Sequence, residues 1–168
     1  MTSRSPLSAS AFFYARSVNR GLASDYIDWA TMMLEQGHDS NNLRMLAGLE
    51  SDNTFEAQEH FKRAMCELNL SEPEPREAMR AYVCELTEHL TTGTLDPATG
   101  VRRLYDICVT AGYPRELMIW YQLDDALADV AAGSYPWCYP TLTVENRSQV
   151  IRGEASRFLE AFGCKIDI

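Results

Sequence analysis

Helical periodicity of the apolar residues constrains the fold of this chain more than any other feature of its sequence. Apolar side chains recur at intervals of three and four residues, and the strict alternation of a half-buried strand is nearly absent. Capping signals mark several helix starts: Asn53 is followed by Glu56, and Asp96 is followed by a proline. The pattern predicts helices at about 10–20, 25–36, 41–50, 54–69, 73–91, 97–111, 115–132 and 144–162.

Short connections limit how these helices can pack. Only residues 133–142 form a longer connection, and helices joined by short loops pack as antiparallel neighbours. A chain of 168 residues, 46% of them hydrophobic, can build its own core. The sequence therefore predicts an all-α fold of seven or eight helices packed as antiparallel α-hairpins. We expect one helical domain, residues 10–168, after a disordered N-terminus, residues 1–9.

The first 24 residues differ in composition from the rest of the chain. They are rich in serine and contain Arg4, Arg16 and Arg20 but no acid, which is also the composition of an organellar transit peptide. The alternative is a disordered start followed by a short helix at about 10–20 that docks on the body of the protein. We expect this alternative, because short matches in composition are common.

The net charge of −9 limits the possible partners. Outside the first 24 residues there are 12 basic and 24 acidic residues, and such a field repels nucleic acid and anionic membranes. No apolar run approaches the roughly 18 residues of a membrane span. These observations predict a cytoplasmic protein that binds a basic protein partner and neither nucleic acid nor membrane.

The five cysteines are odd in number and contain no C-x-x-C pair. This spacing indicates neither a zinc knuckle nor a thioredoxin-type site. We expect reduced, buried thiols, as is usual in the cytosol.

The stretch MIWYQLDD, residues 118–125, combines a hydrophobic stripe with adjacent acids. At 100° per residue, Asp124 falls on the rim of the stripe that contains Trp120 and therefore needs a partner. Arg102, Arg103 and a tyrosine hydroxyl are the candidates. Asp125 and Asp129 lie on the opposite face, where we expect them to be solvated and to contact a partner protein.

The connection at 133–142 alternates aromatic residues with proline and cysteine. Such a segment can be a lid with its rings turned inward, or it can be a contact surface, because aromatic side chains are favoured in interfaces. The candidate contact residues are Tyr135, Trp137 and Tyr139.

Motifs of catalysis are missing from the sequence. There is no G-x-S-x-G, no glycine-rich phosphate loop and no H-E-x-x-H. Glu56 with His60 and Glu85 with His89 are i, i+4 pairs, but the usual di-metal spacing is Glu-x-x-His with additional carboxylates. We therefore predict no catalytic residue, no metal and no cofactor.

Three stretches carry a resemblance to known proteins: residues 25–50, GTLDPATGVRRLYDI at 93–107, and LDDAL at 123–127. The chain resembles a group of small acidic bacterial helical proteins without assigned function, over about residues 24–130. It is also similar in type to immunity proteins of bacterial toxin systems, which are compact, acidic and without an active site. The resemblance implies a non-enzymatic protein that neutralises a basic toxin or similar partner by occlusion. A structural or regulatory adaptor is the alternative, and a small hydrolase or metal-dependent enzyme is the third.

Overall fold

The computed structural model describes residues 7–50 and 52–164. Within these residues the backbone forms eight α-helices and no β-strand, which confirms the predicted all-α class. A 3-10 turn, Arg115–Leu117, leads directly into the seventh helix. The helices are α1 Ala9–Ser17, α2 Ala23–Glu35, α3 Asn41–Ala47, α4 Thr54–Glu67, α5 Pro75–Thr92, α6 Pro97–Thr110, α7 Met118–Ala131 and α8 Arg147–Phe162.

Asn53 and Asp96 cap their helices as predicted. The Asn53 side chain accepts from backbone N–H groups of α4, and Asp96 accepts from Thr99 at the start of α6. Helix α2 begins at Ala23, two residues before the predicted start at 25, and the Asp25 carboxylate accepts from the N–H of Leu22. The final helix begins later than predicted, because the Thr143 hydroxyl accepts from Asn146 within the preceding turn.

The contacts of the chain group into two compact units, Met1–Tyr82 and Val83–Ile168, with the boundary inside α5. The single domain at 10–168 stays a prediction. Of the predicted disordered segment 1–9, residues 1–6 lie outside the described residues. The Ser8 hydroxyl caps α1, so the predicted docked helix near 10–20 is present.

Aromatic packing around Phe61 forms the core of the first unit. The rings of Phe12, Tyr26 and Trp29 lie 4.8–5.5 Å from the Phe61 ring, and all four side chains are almost fully buried. Arg16 stabilises this core from its edge: it donates to the Tyr26 hydroxyl and pairs with Glu72 at 2.6 Å. Burial of these large rings is the main stabilising contribution of α1, α2 and α4.

In the second unit, α6 and α7 form an antiparallel hairpin, and α8 packs on α6. Trp120 is fully buried and meets Phe158 of α8 edge to face at 5.0 Å. Gly100 of α6 is buried against Leu90 of α5, at a distance that leaves no space for a side chain. No described helix is long and apolar enough to cross a membrane.

The expectation of five reduced, buried cysteines is wrong. Cys84 of α5 and Cys164, just beyond α8, form a disulfide across a sequence separation of 80 residues. Cys66 and Cys138 are free and exposed, and only the free Cys108 is buried. Sequence spacing cannot reveal this pairing, because it depends on where α8 ends in three dimensions.

Candidate partner-binding surface

Asp124 lies on the rim of the buried side of α7, as predicted. Trp120 and Leu123 are fully buried, whereas the Asp124 side chain is 16% exposed. Arg102 of α6 donates a 2.7 Å hydrogen bond to its carboxylate. This ion pair confirms the predicted tether between the two helices and gives Asp124 a structural explanation.

The buried stripe of α7 does not continue to the end of the helix. It follows Leu117, Trp120, Leu123 and Ala126, whereas Leu127 and Val130 are half-buried and Ala131 is exposed. The last turn of α7 therefore leaves the core and leads into the connection at 133–142.

Asp125 faces a cluster of tyrosines that the sequence reasoning missed. The Tyr121 ring stacks on Tyr105 at 5.4 Å and meets Tyr113 edge to face at 5.7 Å. The pKa of the Tyr121 hydroxyl is raised, mainly because the negative charge of Asp125 disfavours the phenolate. We call Tyr105, Tyr113, Tyr121 and Asp125 the tyrosine face.

The tyrosine face spans both helices of one hairpin and the turn between them. Tyr113 lies in that turn with a left-handed backbone, φ 59°, and its side chain is 51% exposed. Three tyrosines within 17 residues around a predicted hairpin were the available sequence signal. That the three tyrosine rings lie on the same side of the hairpin could not be deduced without the packing of α6 on α7.

Asp129 differs in part from its prediction. Asp125 is exposed as expected, but Asp129 is half-buried. Neither carboxylate makes an ion pair with another described residue. Asp129 lies in the last turn of α7, where the helix dipole disfavours a negative charge. Its position therefore does not serve the stability of the helix.

Residues 133–142, here called the aromatic loop, have one ring turned inward and two exposed rings. Tyr139 is turned inward, and burial raises the pKa of its hydroxyl to about 12. Pro136 and Leu142 are buried and fix the loop to the body. Tyr135 and Trp137 point outward: Trp137 is 80% exposed, and the two rings meet edge to face at 4.9 Å.

The loop backbone is well bonded. Tyr139 donates its N–H to Pro136, Leu142 donates to Tyr139, and the Asn146 amide donates to the carbonyl of Thr141. A loop held in this way presents Tyr135 and Trp137 with little entropy left to lose on binding.

His60 and His89, two of the three histidines, have local partners. His60 forms a 3.0 Å hydrogen bond with Asn42, and Asn42 donates to Glu67, which connects α3 to α4. His89 contacts the Thr94 hydroxyl at 2.6 Å and lies 3.9 Å from Glu85. Across residues 7–50 and 52–164, no three His, Cys, Asp or Glu side chains converge in a geometry that could hold a metal ion.

Comparison with known protein families, curated proteins and solved structures finds no match to this chain.

Proposed function

We propose that the chain is a non-enzymatic protein-binding module that neutralises a basic partner, such as a toxin domain, by covering its cationic surface. The outward pair Tyr135–Trp137 is the observation that carries the proposal. Exposed aromatic residues held on a bonded loop are typical of contact anchors, since tryptophan and tyrosine are enriched among the residues that dominate binding energy.

Burial of Trp137 supplies the apolar part of the binding energy. A tryptophan side chain that is this exposed leaves most of its apolar surface in water, and burying it in a partner pocket contributes about 2 kcal/mol. Tyr135 extends the patch and braces the indole ring, so that both rings enter an interface together.

The acidic groups of α7 indicate that the partner is positively charged. Asp125 and Asp129 make no ion pair with a described residue, and the chain as a whole carries −9. An acidic surface of this kind accelerates association with a basic protein and slows association with an acidic one. Covering a cationic site with this surface blocks it without any chemical step.

A cytoplasmic location is part of the proposal, and the Cys84–Cys164 disulfide is the observation that argues against it. Disulfides persist in oxidising compartments and are rare in the cytosol. Rapid alkylation of thiols in intact cells, followed by mass spectrometry of the protein, distinguishes the two locations. Alkylated Cys84 and Cys164 support the cytoplasm, and an intact disulfide contradicts it.

The test uses the proteins encoded by the genes on either side of the gene for this chain. Each neighbour is expressed in a bacterial host with and without the chain, and growth and direct binding are measured. We expect one basic neighbour to inhibit growth and the chain to restore it by forming a stoichiometric complex.

Matched variants distinguish the contribution of the aromatic loop from that of the acidic residues of α7. Trp137→Ala should weaken the complex by about tenfold or more, whereas Trp137→Phe should retain most of the affinity because it keeps an aromatic ring. Asp125→Lys together with Asp129→Lys should slow association at low salt. The proposal is contradicted when neither neighbour binds, or when Trp137→Ala binds as tightly as the parent protein.

A further inference from the structure

Neutralisation of a basic protein explains an acidic residue in the tyrosine face, but it does not by itself explain the three tyrosines. We propose that this face receives an arginine side chain of the partner, with its guanidinium against the ring of Tyr113 and paired to the carboxylate of Asp125. The inference rests on the proposed function, because it names the side chain that the acidic surface recognises.

The hairpin already contains such an arrangement within the chain. The guanidinium of Arg102 lies over the Tyr105 ring, 4.7 Å from its centroid, and donates to Asp124 at 2.7 Å. A ring on α6 and a carboxylate on α7 thus hold one arginine together. Stacking and charge-assisted hydrogen bonding both contribute to its position.

An exposed ring and an exposed carboxylate also adjoin Tyr121, and no described basic side chain pairs with that carboxylate. Tyr113 exposes half of its side chain, and its ring contacts Tyr121, the residue one helical turn before Asp125. Asp125 is exposed and has no ion-pair partner in the described part of the chain. Asp125 follows Tyr121 by four residues on α7, which places the two side chains on the same face of the helix, and its charge raises the pKa of the Tyr121 hydroxyl.

Arginine fits these groups better than lysine does. A guanidinium is planar and weakly hydrated, so it can stack on a ring while its N–H groups reach a carboxylate. An ammonium is strongly hydrated and interacts as a point charge. Discrimination between the two cations therefore separates a built arginine site from general attraction by an acidic surface.

The backbone at Tyr113 supports the assignment. A left-handed conformation is disfavoured at a bulky residue relative to glycine, yet tyrosine stands there directly after Gly112, which also has a positive φ. The ring is thus presented at the outer side of the hairpin against the preference of the backbone.

The experiment uses the full chain and two short peptides with blocked ends, one with two arginines and the other with lysines in their place. Binding is followed by NMR of the tyrosine rings at low salt. We expect the arginine peptide to shift the Tyr113 and Tyr121 signals and to bind several-fold more tightly than the lysine peptide.

Variants locate the site and keep the test independent of folding. Tyr113→Leu and Asp125→Asn should each weaken the arginine peptide several-fold, whereas Tyr113→Phe should bind as the parent does because the ring remains. Thermal denaturation of each variant confirms that it is folded. Equal binding of the two peptides, or arginine binding that Tyr113→Leu leaves unchanged, overturns the inference.

This inference and the proposed function can fail independently of each other. Trp137→Ala lies outside the tyrosine face and should leave peptide binding unchanged, although it should weaken the complex with the partner protein. Peptide discrimination without a Trp137-dependent partner contradicts the proposed function alone. A Trp137-dependent complex without arginine preference contradicts only the further inference.

Discussion

Arg102 and Asp124 are joined by a 2.7 Å hydrogen bond across the α6–α7 hairpin. The neighbouring Asp125 is exposed and makes no ion pair within the described residues. Two acids that are adjacent in sequence thus have different surroundings, because a rotation of 100° carries one to the rim of the core and the other to its outer side.

This difference predicts that alanine substitutions of the two acids affect stability unequally. Asp124→Ala should lower the melting temperature by a few degrees, because a largely buried acceptor of a charged hydrogen bond is lost. Asp125→Ala should leave the melting temperature nearly unchanged, as exposed substitutions usually do. Thermal denaturation followed by circular dichroism measures both, and equal melting temperatures for the two variants would contradict the structural role of Asp124.

Local chemistry explains which parts of this structure the sequence predicts. Asn53 and Asp96 cap their helices through bonds to residues two or three positions away, so a short window of sequence contains both partners. The burial of Trp120 and the rim position of Asp124 follow from helical rotation alone. The choice of Arg102 over Arg103 as the partner required the packing of α6 on α7.

Long-range packing explains what the sequence could not predict. Cys84 and Cys164 are 80 residues apart, and the tyrosine face is assembled from two helices and a turn. In the aromatic loop, the same alternating pattern places Tyr139 inward and Trp137 outward. Turn geometry decides that orientation, and the identity of the residues does not.

The two tryptophans of the second unit should respond differently to truncation. Trp120→Ala should destabilise the protein by about 3–5 kcal/mol, because the fully buried ring leaves a cavity beside Phe158. Trp137→Ala should change the free energy of unfolding by less than about 0.5 kcal/mol, because that ring is mostly in water. Urea denaturation compares them, and a large loss of stability in Trp137→Ala would show that the aromatic loop belongs to the core.

Two helical glycines provide another matched pair. A Cβ at Gly100 would lie 2.9 Å from Cγ of Leu90, whereas a Cβ at Gly153 would meet only the flexible end of Arg157 at 3.6 Å. Gly100→Ala should therefore destabilise by about 1–3 kcal/mol through overpacking. Gly153→Ala should stabilise by up to about 1 kcal/mol, because alanine favours the helix. Chemical denaturation midpoints that rise in both variants would contradict the close approach of Leu90 to α6.

The cysteines should show three classes of reactivity. A maleimide reagent should label Cys66 and Cys138 in the native protein, Cys108 as well after denaturation, and Cys84 and Cys164 only after reduction. Mass spectrometry of the intact protein counts the labels at each stage. Cys84→Ser should cost about 2–5 kcal/mol of stability, since the bond closes a long loop of the unfolded chain. Labelling of Cys84 without a reductant would contradict the disulfide.

Asp96 predicts a pH dependence of stability with a definite sign. The Thr99 backbone N–H and hydroxyl donate to its carboxylate at 2.9 and 2.8 Å, and these bonds lower the pKa of Asp96 in the folded protein. Because the folded pKa lies below the unfolded value of about 3.9, the stabilisation is complete above that value. It is lost as the pH falls through the folded pKa.

The variant Asp96→Asn keeps a capping oxygen but does not titrate. Near neutral pH the parent should be slightly more stable, because the helix N-terminus favours a negative charge. Its advantage should disappear or reverse as the pH falls from neutral to below the unfolded value of about 3.9, while Asp96→Ala should be less stable by about 1 kcal/mol near pH 7. Melting temperatures of the three proteins across this range measure the effect. The difference between parent and Asp96→Asn isolates this one carboxylate from all the others that titrate in acid, so parallel curves for the two proteins would contradict the charged cap of α6.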